Sequence, residues 1–549
     1  MVTRSLALAA AIGALAPLAA QAQQALPTPI ETQALSALDA WSVSALSREQ
    51  GALPANLWAN SDPEVLALVL DRMPAVYESP ATLTLARRVL FSGADAPRGD
   101  ANGAARERFE ALGKMGAADE LATMAAGAGS ALSDVQIAQY AAQAELARGR
   151  RAEACARGRN ANGGESPPPF LLRLRAYCAA VTGDRAAADL ALEFARAANA
   201  EDAWYTGAIG AAGGAPAARP PAARYDNSLA AQLSIAANLR PGPNPLANSS
   251  TLALVALARH ANAPQPQRAQ AAALAFRRGA IGVQEARTIL GATPAEITSA
   301  LPPIAIALRR VTAVNTAPAV AAAPGSVSPA SLEVGAAIAE VLRQATTPAD
   351  FNAAARFFAQ DIAGLQSAPD QASAVLFARA ALASGDRQVA QRLIQSARQA
   401  GAAEATLAPL DAAMAALAGA RGEQATLAMQ RRIDAAGAAQ ARAAARDVAI
   451  LAALGAPVNG SVQRFILANA PQGGVRADAG ALVALGAAAE RSAVGEGALL
   501  AIVAAGDGGV ARLDADSVAQ IIRALRALGL DHDARHLATE AILAGGPAS

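Results

Sequence analysis

Side chains able to do metal or nucleophilic chemistry are few: three histidines (His260, His532, His536) and two cysteines (Cys155, Cys178) in a chain of 549 residues. In DHDARHLATE, His532 and His536 are four positions apart, so a helix places both on one face with Glu540 one turn further on. Two imidazoles and a carboxylate are zinc-ligand chemistry. The stretch lacks the glutamate of H-E-x-x-H and a well-placed third ligand, so His532 and His536 are weak candidates and no metal is expected. Cys155 and Cys178 are 23 positions apart. A reactive pair takes the form C-x-x-C, and a metal needs further ligands that are not nearby. A disulfide or two buried thiols remain. No G-x-S-x-G, phosphate-binding loop or dinucleotide fingerprint occurs in a strand-turn-helix setting, so no catalytic residue and no cofactor is expected.

Charge supplies one more candidate. Arg148, Arg150, Arg151, Arg157, Arg159, Arg173 and Arg175 lie in a stretch whose only acids are Glu153 and Glu165. They read either as a basic patch for an acidic partner face or anionic envelope polymer, or as a solvated helix face. Trp204-Tyr205 reads as a contact point or as the aromatic plug of a short array.

The chain opens MVTRSLALAAAIGALAPLAAQAQQ, with Arg4 ahead of a short apolar run and then Ala20-Gln21-Ala22. That is the layout of a secretory signal peptide, residues 1–22, with cleavage expected after Ala22 and a soluble periplasmic product. Later apolar runs such as TLALVALARH are broken too soon to span a bilayer. An oxidising compartment favours the disulfide between Cys155 and Cys178. The formal net charge is +1, and loss of Arg4 brings it to zero. A neutral balance argues against nucleic acid as a partner.

Aromatic residues make up only 3% of the chain and alanine dominates, which suits thin, closely approaching helices. Alternation of the strand type is absent, and helical stripes occur almost everywhere. One phrase recurs: an Ala/Leu run, a glycine, and alanine again four or five positions on. It occurs around Gly116, Gly149, Gly183, Gly385, Gly419 and Gly529, with successive spacings of 33 and 34 in the first three. These predict antiparallel hairpins, and an all-α fold.

With these phrases the chain resembles tetratricopeptide-like helical repeats over about residues 100–200 and 370–545. It also resembles alanine-rich periplasmic proteins of high-GC Gram-negative bacteria. The resemblance implies stacked hairpins forming a superhelix, or α-solenoid, whose concave face binds protein segments. The expected organisation is an N-terminal array at 23–205 and a Gly/Pro-rich connector with one short helix at 206–250. A middle helical segment at 251–312, a Pro/Ala-rich linker at 313–331 and a C-terminal array at 332–549 follow. One continuous superhelix with long surface loops is the alternative. The expected function is a non-catalytic scaffold or adaptor for protein partners of a cell-envelope machine: flagellar motor, pilus, secretion apparatus or cell-wall synthesis complex. The alternatives are a module binding peptidoglycan or another anionic polymer, and a glycan-active enzyme related to the superhelices of lytic transglycosylases.

Overall fold

The computed structural model describes residues 39–545 except 162–166, 216–219, 295–300, 318–327, 369 and 472. The expected signal peptide and most of the 313–331 linker lie outside the described residues. Among those described the chain is all-α, with 27 α-helices, two short 3-10 helices and no strand. No helix among them is long and apolar enough to cross a membrane.

Short polar side chains start many of the helices. Asp134 accepts from the amides of Gln136 and Ile137, and Asp370 does the same for Ser373, filling donors that the first turn leaves open. Proline opens others, as at Pro63, Pro80, Pro169 and Pro348, where its missing N–H costs nothing. All six glycines of the recurring phrase take left-handed backbone angles, with φ from 74° to 97°. A Cβ is unfavourable there by about 1 kcal/mol, which is why glycine marks these turns.

The glycines join hairpins. Val135–Ala147 pairs with Arg151–Asn160, and Pro169–Val181 with Arg185–Ala197. Further along, Gln371–Ala383 pairs with Arg387–Gln399, and Glu404–Leu417 with Gly422–Asp434. Each hairpin also packs on the next, the neighbour-on-neighbour arrangement of a helical solenoid. Alanines such as Ala141, Ala142, Ala412 and Ala413 are fully buried at these contacts and let the helices approach closely.

Helix Ala203–Ala212 ends within the 206–250 connector, which also holds Ser228–Ala236. The expected 313–331 linker is shorter than read: helix Pro303–Thr316 runs into its start and helix Pro329–Arg343 begins before its end, and the two helices pack on each other. The described residues all belong to one compact unit.

The first helices also meet the last. Pro63–Asp71 and Pro80–Phe91 pack against Val494–Ala505, and Pro80–Phe91 packs against Asp531–Gly545 too. Gly495 is required at this seam: a Cβ there would sit 2.4 Å from the Trp58 ring. The buried Glu496 carboxylate accepts the Asp62 amide at 2.6 Å and the Arg491 guanidinium at 2.6 Å. Glu540 accepts the Ala81 amide at 3.1 Å, and Arg88 pairs with the buried Asp533. The seam is thus apolar at Trp58, with Glu496 and Asp533 each paired to an arginine beside it.

Candidate functional site

Two stretches of four helices, residues 135–197 and 371–434, repeat one another. Helix Val135–Ala147 and its cap Asp134 correspond to Gln371–Ala383 and Asp370, and Gly149 corresponds to Gly385. The same offset carries through the next two helices. One extra residue in the turn after Gly419, where Ala420 and Gly422 both have positive φ, shifts the fourth helix by a single position.

Each stretch carries an open groove made by its second, third and fourth helices. The first groove, about 620 Å³, is lined by Arg151, Cys155 and Arg159, then Arg175 and Cys178, then Ala187, Leu190 and Phe194. The second, about 520 Å³, is lined by Arg387, Gln391 and Gln395, then Asp411 and Met414, then Gln424, Leu427 and Arg431. These residues match position for position. The geometry of the cleft is therefore repeated while its chemistry differs.

The first groove has an apolar wall, with Leu190 56% and Phe194 57% exposed. Its opposite rim is basic. Arg159 is exposed and makes no ion pair or hydrogen bond with a described residue, while Arg151 donates to the Tyr177 hydroxyl. The floor is cross-linked: Cys155 and Cys178 form a disulfide with Cα atoms 5.9 Å apart, joining adjacent helices of successive hairpins. Arg175 reaches from the floor to the carbonyls of Gly158 at 2.9 Å and Ala161 at 3.2 Å, filling acceptors at the end of Arg151–Asn160.

In the second groove Asp411 accepts from Arg398 at 2.8 Å and Arg431 at 3.5 Å. Arg387 is exposed with no ion pair among the described residues, and Gln391, Gln395 and Gln424 present free amides beside Leu427. That surface can hydrogen-bond a peptide main chain from both sides.

The arginine cluster divides between these roles. Arg148 pairs with Asp119 at 2.9 Å and with the buried Glu145 at 3.1 Å, and Arg157 also reaches Glu145 at 3.4 Å. Arg173 donates to the Ala200 carbonyl and lies 4.6 Å over the Tyr205 ring. Arg148, Arg157, Arg173 and Arg175 thus hold helices together; Arg150, Arg151 and Arg159 face solvent. The Trp204 indole donates to the Ala222 carbonyl at 2.7 Å, and the buried Tyr205 hydroxyl accepts from Asn227 at 2.8 Å. The aromatic pair closes the array onto the segment that follows. His532 and His536 lie side by side with ring centroids 4.5 Å apart, and among the described residues no group of three metal-binding side chains converges.

Leu190, Phe194, Leu427, Arg387 and Arg431 carry no motif. The signal that would have found them is registration of the two stretches on Gly149 and Gly385. No protein-family model, curated protein or solved structure matches the chain.

The cross-link has a measurable consequence. Replacing Cys155 and Cys178 together by serine frees a loop whose ends are 23 residues apart, and is expected to cost about 2–3 kcal/mol. The check is the urea midpoint of the double variant against that of the oxidised parent. Equal midpoints would remove the disulfide as a stabilising element of the first groove.

Proposed function

We propose that the protein is an exported, non-catalytic scaffold of tetratricopeptide-like design that holds protein segments of a cell-envelope assembly in its two grooves. The observation that carries this reading is the duplication: two clefts lined at corresponding positions by unlike side chains. Duplicated geometry with diverged lining is what a binder of two different segments needs, because the frame sets the docking angle and the lining sets the sequence bound.

The first groove suits an amphipathic helix. Leu190 and Phe194 take its apolar face, and Arg151 and Arg159 take acids along its edge. The second suits an extended acidic segment, with Gln391, Gln395 and Gln424 pairing to main-chain groups and Arg387 to carboxylates. The leader-like layout of residues 1–22 and the cross-linked cysteines are what support a periplasmic placement.

The test is photo-crosslinking in intact cells from probes at Phe194 and Leu427, with a probe at the exposed Arg310 as control. Adducts to defined proteins are expected from the first two positions. Charge reversal of Arg387 to glutamate should weaken the Leu427-site adduct about tenfold, a loss of about 1.4 kcal/mol. Adducts no stronger than those at Arg310 would overturn the reading.

A further inference from the structure

A smaller cavity of about 170 Å³ lies where the helix starting at Pro80 meets Asp531–Gly545, with Pro348–Phe357 and Gln371–Ala383 closing it. Its polar lining is dominated by Arg356, Arg379, His536 and Glu540, set among apolar groups such as Phe351 and Leu382. Water needs about 10–15 Å³ of such space, so there is room for a small molecule of several heavy atoms.

The charges in this cavity do not balance. Arg379 donates one N–H to the Leu543 carbonyl at 3.2 Å and lies 4.7 Å over the Phe351 ring, and it has no carboxylate partner among the described residues. Arg356 donates to the Arg277 carbonyl at 3.3 Å and lies 5.2 Å over Phe276. Its Nε–H is buried and without a hydrogen-bond partner. Glu540 is the one carboxylate among the described lining residues; it attracts Arg356, but its oxygens are already engaged by the Ala81 amide at 3.1 Å and the Ser79 hydroxyl. Burial pushes that carboxyl up to about 7, so near neutrality much of its negative charge is absent. Two desolvated guanidinium groups facing one carboxylate that is largely neutral are short of counter-charge, and guanidinium groups with spare donors are how proteins hold oxyanions.

We propose that this cavity binds a small oxyanion, a carboxylate or a phosphate, between the guanidinium groups of Arg356 and Arg379. The site is separate from the two grooves and does not depend on the function proposed for them. A bound oxyanion would touch helices from both ends of the chain and so fasten the seam between them.

Thermal unfolding of the full chain, titrated with inorganic phosphate and separately with acetate against sodium chloride of equal ionic strength, tests the site. A saturable rise in Tm of about 2 °C or more is expected with one of the two anions. Phosphate alone assigns a phosphate site, and acetate alone a carboxylate site. Arg379→Lys keeps the charge and the fold but loses the fork geometry, and should reduce the shift at least tenfold in apparent affinity. Isothermal titration of the same variant against the parent gives a second readout that does not depend on stability. No saturable response to either anion, or a response unchanged in both Arg379→Lys and Arg356→Lys, would overturn the assignment.

Discussion

Replacing Asp447 by alanine is expected to lower the unfolding free energy by about 3–5 kcal/mol, the cost of stranding a buried charge. Arg432, on the outer helix of the second groove, donates to Asp447 at 2.7 Å, and both side chains are essentially shut off from water (1% and 0% exposed). Arg446 stands beside them, donating to the carbonyls of Ala541 and Leu513. Burial pushes the Asp447 carboxyl up to about 6 even though both arginines pull it down, so desolvation outweighs attraction at this site. Asp447 Oδ1 and Arg432 Nη1 are buried without partners, which adds to the imbalance. The converse follows: substituting both members, Arg432→Met with Asp447→Leu, should restore stability to within about 1 kcal/mol of the parent or exceed it. Urea unfolding of the parent, Arg432→Met, Asp447→Leu and the double variant closes the cycle. A single-variant loss below about 1 kcal/mol would mean that water reaches the pair. Because the pair ties Gly422–Asp434 to Ala441–Ala453, the single variants should also loosen the wall of the second groove.

Much of the local architecture was legible because it rests on short-range rules. The six glycines of the recurring phrase predicted turns, and all take left-handed angles. The expected pairing of Cys155 with Cys178 is present, and the two lie on adjacent helices of successive hairpins that the turns at Gly149 and Gly183 set out. What could not be read was which face of an alanine-rich helix turns inward, since alanine is at home on either. In ARERFEAL, Arg106 and Arg108 look alike. Arg106 is exposed enough to pair with Asp134, whereas Arg108 is fully buried and donates to the carbonyls of Leu90, Ser92 and Ala40 at 2.8–3.0 Å. The same ambiguity made seven arginines look like one surface when four of them are spent on helix ends and buried acids. The seam between the ends of the chain was hidden for another reason. Its contacts, such as Trp58 with Gly495, link positions more than four hundred residues apart, and no periodicity reports a contact of that kind.

That seam carries the second large effect, and it is one of pH. The Glu540 carboxyl is raised from its ordinary 4.5 to about 7 by burial, which outweighs its hydrogen bonds from Ser79 and Ala81 and the attraction of Arg356. The folded protein therefore keeps a proton that the unfolded chain has released between those two values. Stability contributed by this proton is fully present below 4.5 and is lost as pH rises through about 7, a swing of about 3 kcal/mol. Asp447, also raised, works in the same direction up to about 6, while Asp533, held down by His532 and Arg88, works in the opposite one at lower pH. His536 is depressed by burial and by His532, so it too favours the folded state as it loses its proton. A comparison of variant with parent is needed to isolate one group. Glu540→Gln keeps the shape and the acceptor for the Ala81 amide but cannot ionise. Its urea-derived stability should match the parent near pH 4 and exceed it by about 3 kcal/mol near pH 8, with the parent falling between the two. Parallel curves for parent and variant would mean that the carboxylate is as well solvated in the seam as in the unfolded chain, and that the two ends of the protein meet less tightly than their packing implies.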